Sequence, residues 1–291
     1  NIRRHEKKRN LLKEISGNLS HNVAKMLEWA TAATLIYGTI RQIQKGIKTM
    51  IQLETEAVNI AKVLPETVRL DELEKSAISL GKRFGESVLD IEKAMQSWAR
   101  QYKNASDMTE ASMLAATATD ITFANSVKHL SAIMAEWNFE TKQSIHIVNV
   151  LNEMSNSFRV TADDLATALA KTGSGAKSVG LEFEELAGII TTGIQSLGIS
   201  GEEMGTMWTR VMSRIKSNKD AKKAFEGLGI DTSGSMSKML NELMVKWDGL
   251  SQNMKTNFAI TVAGTHHWSK FLGIMDNYNT VIDATTKAFF S

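Results

Sequence analysis

The chain has 291 residues, the length of one large domain or two ordinary ones, and its 34 basic and 32 acidic side chains nearly cancel. That balance excludes a general affinity for nucleic acid or anionic membrane carried by total charge. Zero cysteines exclude a disulfide framework, a thiolate zinc site and a cysteine nucleophile, and they fit a reducing cytosol. A hydrophobic share of 43% supplies a sizeable core, and a single proline points to an all-α fold, because long helices exclude proline whereas the turns of β and α/β chains use it.

Residues 1–64 read as a basic N-terminal helical segment, a long helix or a helical hairpin. Residues 1–50 carry ten Lys/Arg against three acids, a net of +7 that leaves −5 for the rest. A solvated helix face explains this better than an interaction arm, since no aromatics interleave the cations. No signal-peptide core follows Asn1-Ile2-Arg3-Arg4, and a chain opening on asparagine is expected to be a fragment or a processed piece. The charge-free stretch from Trp29 to Ile40 is too short for a membrane span, which needs ~20 residues, and is expected to be a buried helix. Pro65 marks a break, because it pushes Leu64 out of the helical region.

Residues 65–172 are expected to hold the longer helices. No glycine occurs after Gly85 until Gly173, whereas eleven fall between Gly173 and Gly234. Residues 173–291 are therefore expected to be a compact region of shorter helices joined by glycine turns, although 65–291 can also form one domain. Val88, Ile91, Met95, Trp98 and Tyr102 repeat at three and four residues, the spacing of one helical face. The same stripe recurs in Leu181, Leu186, Ile189, Ile190, Ile194 and Leu197. It recurs again in Met204, Met207, Trp208, Val211, Met212 and Ile215, and in Met236, Met239, Leu240, Leu243, Met244 and Trp247. Thr161 and Ser200 stand where N-caps belong, each followed by acids in the first turn.

Chemical motifs fail on spacing. Gly173-Ser174-Gly175-Ala176-Lys177-Ser178 lacks the glycine before the lysine that a phosphate loop requires, and reads as a turn between helices. His266 and His267 point about 100° apart on a helix with no carboxylate within a turn, so a metal site is not expected. Glu184-Glu185 and Glu202-Glu203 sit at helix starts, where the dipole accounts for them. No catalytic, cofactor-binding or metal-binding residue is assigned, no cofactor is expected, and the chain does not read as an enzyme. The 15 methionines are expected mainly as core packing, with repacking faces as the alternative.

Read in order, several stretches resemble the conserved region of phage tail tape measure proteins. They are Ala33-Thr34-Leu35-Ile36-Tyr37-Gly38 into Gly46-Ile47-Lys48, then Glu54-Thr55-Glu56-Ala57-Val58-Asn59-Ile60 with Lys62-Val63. Next come Ala168-Leu169-Ala170-Lys171-Thr172-Gly173-Ser174-Gly175-Ala176 and Val179-Gly180-Leu181-Glu182-Phe183-Glu184-Glu185-Leu186. Gly201-Glu202-Glu203-Met204-Gly205-Thr206, Arg210-Val211-Met212-Ser213-Arg214-Ile215, Ala224-Phe225-Glu226-Gly227-Leu228-Gly229-Ile230 and Val262-Ala263-Gly264-Thr265-His266-His267-Trp268-Ser269-Lys270-Phe271-Leu272 complete the series. The similarity covers roughly residues 22–280. It departs at Trp268, where a smaller aliphatic residue is expected, and residues 1–20 match nothing specific.

The resemblance implies a structural virion protein of the phage tail, made in the host cytoplasm. Such proteins scaffold polymerisation of the tail tube, set tail length, and leave ahead of the DNA at infection. The implied partners are tail tube and tail tip proteins, further copies in a small homo-oligomer, and transiently the host membrane, with no specific nucleic acid. Glycine-punctuated helices fit a compact domain of a longer protein whose ruler lies elsewhere. A single 291-residue helix would instead reach about 440 Å. Two competing readings are a membrane-active or pore-forming helical module and an intracellular helical adaptor. An enzyme stands last.

Overall fold

The computed structural model describes residues 70–291 and seven helical positions between 44 and 55. The expectations about the basic head, the Trp29–Ile40 segment and the Pro65 break lie outside the described residues, apart from those seven positions. Backbone packing divides the chain into units of residues 1–58 and 59–291, and the helices from residue 70 onward belong to the second. Among its described residues there is no strand. The chain runs through α1 (Leu70–Phe84), α2 (Val88–Ala99), α3 (Ala105–Ala118), α4 (Phe123–Trp137), α5 (Ser144–Ser157), α6 (Ala162–Ser178) and α7 (Phe183–Leu197). It continues through α8 (Gly201–Ser217), α9 (Lys219–Gly227), α10 (Met236–Trp247), α11 (Gln252–Ala263), α12 (Trp268–Asp276) and α13 (Tyr278–Phe289). The all-α expectation is met.

Seven of these helices start where a short polar side chain satisfies an otherwise orphaned amide. Thr161 accepts from the Asp164 amide at 3.1 Å, Ser200 from Glu203 at 3.3 Å, and Ser87, Thr122, Asn218, Ser235 and Ser251 act alike. The chain leaves α7 through Gly198 at φ 64°, a left-handed turn that glycine adopts without a steric penalty.

The helical stripes are the core. Ile91, Met95 and Trp98 of α2 are buried, as are Met204, Met207, Trp208, Val211, Met212 and Ile215 of α8. Met236, Met239, Leu240, Leu243 and Trp247 of α10 join them. Two aromatic groups anchor this interior. Trp137, Phe139 and Phe183 meet pairwise at centroid separations of 5.6–5.8 Å. Trp208 stacks on Phe271 at 6.3 Å, while Phe258 touches Phe225, Trp247 and Phe271. Both methionine stripes point inward, so the thioethers fill gaps in the packed interior.

One expectation is corrected. Gly173-Ser174-Gly175 is not a turn but part of α6, which runs unbroken across the boundary drawn at 172. Helix lengths divide less sharply at that boundary: α8, in the glycine-rich region, matches α6 at 17 residues, and the nine-residue helices are α9 and α12. The physical reason is contact. A Cβ at Gly173 would lie 2.7 Å from the Trp137 indole nitrogen, and one at Gly188 would lie 2.8 Å from the Thr285 backbone nitrogen. These glycines admit a neighbouring helix, at a cost of about 1 kcal/mol each relative to alanine.

The closest approach joins α6 and α8. A Cβ on Gly201 would collide with the Asp164 backbone, and one on Gly205 would sit 3.3 Å from the Ala168 Cα. At 3.6 residues per turn, Asp164, Ala168, Lys171 and Gly175 share one face of α6, and Gly173 points the opposite way. α6 is thus gripped by α8 on one face and by Trp137 of α4 on the other. Gly201→Ala is expected to cost about 2–3 kcal/mol, as overpacking against backbone does, lowering Tm by roughly 5–10 °C. Gly227→Ala, with no atom within 4 Å of the added carbon, should leave Tm within ~2 °C; differential scanning calorimetry measures both.

Candidate functional site

Polar side chains, as well as close backbone contact, brace the α6–α8 pair. The Asp164 carboxylate accepts the Gly201 amide at 2.6 Å and the Thr161 hydroxyl at 2.9 Å, tying the start of one helix to the start of the other. Lys171 of α6 pairs with Glu202 of α8, and Glu203 pairs with Lys270 of α12. On the α4 side, Asp163 takes His129 at 3.1 Å and Asn125 at 3.3 Å. Lys177 donates to the Trp137 carbonyl at 2.8 Å.

The paired acids therefore do more than complement dipoles. Glu184 accepts from His146 at 2.6 Å, and Glu185 closes a capping box with Glu182 while reaching Ser237 of α10. Beside Glu185, burial and that carboxylate push the Tyr278 hydroxyl up to about 12, so Tyr278 stays a neutral donor, and its hydroxyl lies 3.2 Å from the Asn241 side-chain oxygen. Each carboxylate of the two pairs is thus held by a partner from another residue. Gly173 to Ser178 form helical backbone with no loop to cradle a phosphate. Among the described residues no group of three or more His, Asp or Glu is placed to hold a metal ion. Among them, too, no helix is long and apolar enough to cross a membrane.

Sequence reasoning missed the surroundings of His267. The corner between α11 and α12 turns at Gly264, whose φ of 81° places the following residues against α8. There the Arg214 guanidinium donates to the Thr261 carbonyl at 3.0 Å. Both His267 ring nitrogens are shielded from solvent without a hydrogen-bond partner. Burial first, then Arg210, Lys270 and His266, hold the His267 pKa below its ordinary 6.5, with Glu203 opposing. Because the folded pKa is depressed, the unfolded chain binds more protons between that pKa and 6.5. The neutral imidazole thus favours folding fully above 6.5, and this contribution falls away as pH drops toward the folded value. Thermal melts between about pH 7 and 5 should show stability declining with acidification, and His267→Leu should flatten that decline. An unchanged slope in the variant would contradict the assignment.

A family model described as phage-related minor tail protein matches residues 74–264, well over half of the chain, from within α1 to the glycine that ends α11. The α6 stretch 168–176, the α7 start at 179–186, and the stretches 201–215 and 224–230 all lie inside the match. Residues 33–63 precede it, and 262–272 straddle its end. No solved structure matches the chain. The chain belongs to the family of phage-related minor tail proteins.

Proposed function

We propose that this chain is the conserved helical domain of a phage tail tape measure protein, a structural component rather than an enzyme. It scaffolds polymerisation of the tail tube and belongs to the protein that sets tail length. The observation that carries the reading is the continuous family match over 74–264. It includes the α6–α7 stretch of residues 168–186, which is similar to the most recognisable part of tape measure proteins. The working location is the virion tail, reached from the host cytoplasm during assembly. Tube and tip proteins are its partners, with self-association into a small homo-oligomer and transient contact with the host membrane at ejection.

A ruler must convert residues into length, and the folded unit does this badly. A compact body of residues 59–291 has a radius of gyration of roughly 17–18 Å, whereas the same residues as one helix would span about 350 Å. The measuring function accordingly falls to other parts of the parent chain, and this unit serves as a docking body that starts or anchors assembly. Purified tails should yield peptides from this chain at a few copies per tail, quantified by mass spectrometry against the tube protein. In-frame deletions outside residues 70–291 should shorten tails by about 1.5 Å per residue removed, measured by electron microscopy. Deletions that remove α6 or α8 should abolish tails rather than shorten them. Absence of these peptides from intact tails, or tails of unchanged length, would remove the reading.

A further inference from the structure

The described surface segregates its charge. Residues 210–223 carry Arg210, Arg214, Lys216, Lys219, Lys222 and Lys223 against Asp220 alone, a net of +5. The rest of residues 70–291 carries 16 basic against 25 acidic side chains, a net of −9. The two arginines face the α11–α12 corner, where Arg214 reaches Thr261 and Arg210 lies by His267. The four lysines remain. Among the described residues, none of them has a carboxylate within ion-pair distance.

The fold gathers these lysines. On α9, residues 219, 222 and 223 share one face at helical spacing, with Cβ atoms about 5–6 Å apart, while Ala221 and Phe225 bury the opposite face. Lys216 and Lys222 both line a groove of about 390 Å³ between the end of α8 and the start of α10. Gly180, Ser233 and Ser235 supply backbone and hydroxyl groups along it, and Val179 and Met236 form part of its wall. Asp231 accepts from the Ser233 amide and hydroxyl and pairs with Lys238, and Glu226 accepts from Thr232; with Asp220 and Glu226 of α9 counted, the four lysines still leave a net of +2 at this corner.

We infer that this corner docks the phosphate backbone of duplex DNA without reading its sequence, with Lys216, Lys219, Lys222 and Lys223 as the contacting cations. The ammonium groups are point charges suited to phosphate oxygens, and no planar guanidinium fork for carboxylates remains free among them. A membrane surface would ask for apolar side chains beside the lysines to enter the headgroup region. The exposed large apolar residues lie elsewhere in the chain, with none between residues 146 and 244. The inference stands independently of the tape measure reading.

The test uses the whole chain, a fluorescein-labelled 30-bp duplex and anisotropy titrations at several salt concentrations. Lys216, Lys219, Lys222 and Lys223 are changed together to Glu. A control with the same charge change carries Lys75, Lys82, Lys103 and Lys128→Glu, all exposed, and circular dichroism checks that both variants fold. Each phosphate contact contributes about 0.9 to the slope of log K against log salt. The corner variant should therefore bind at least ~10-fold more weakly at low salt, with a slope lower by about 3–4. The control should stay within about threefold. Equal losses in both variants would reduce the effect to net charge and overturn the inference. Unchanged binding by the corner variant would overturn it in favour of residues 1–50. Binding to phosphatidylserine vesicles without binding to the duplex would overturn it in favour of a membrane.

Discussion

The compact unit depends on one contact of backbone with backbone. Where α8 begins, Gly201 lies against the Asp164 turn of α6 with no space for a side-chain carbon. Everything placed by α8 inherits that position: Trp208 against Phe271, Met204 against Gly193 of α7, and Glu203 toward Lys270. α6 in turn is fixed from its other face by Trp137, whose indole edge occupies the space left by Gly173. Small residues thus do in this molecule what large ones do in most cores. They set the distance between helices, and the methionines and tryptophans fill what remains.

Much of this is legible in the sequence. The stripes Ile91–Met95–Trp98 and Met204–Trp208–Val211–Ile215 follow from helical periodicity alone, and Thr161 and Ser200 are local signals whose partners lie three residues away. Gly173 reads as a turn residue because its actual reason is not local. The sequence states that a glycine is present, and only the fold brings Trp137, 36 residues earlier, to the place where a side chain would be. Glycine at a turn and glycine at a helix crossing look identical in one dimension.

The candidate site shows the same division. First-turn acids are readable as dipole partners, but nothing in Glu202-Glu203 says that one reaches back to Lys171 and the other forward to Lys270. His267 is conspicuous only as half of a histidine pair. Its lack of hydrogen-bond partners arises from the Gly264 corner folding onto α8. The lysines from 216 to 223 were visible as letters, yet a balanced total charge hid them. That no carboxylate of the described residues reaches ion-pair distance of them is a property of how α8, α9 and the start of α10 meet.

The sulfur chemistry of the chain has a consequence for where it can function. The interior holds thioethers such as Met95, Met108, Met134, Met204 and Met212, all essentially inaccessible to solvent, and the chain contains no thiol. Passage between reducing and oxidising surroundings therefore makes and breaks no cross-link within it. Oxidants reach these buried sulfurs only when the unit opens, because methionine oxidation requires access. The fold has the same covalent structure on either side of a cell envelope, and sulfoxide appearing at these positions would record each episode of unfolding.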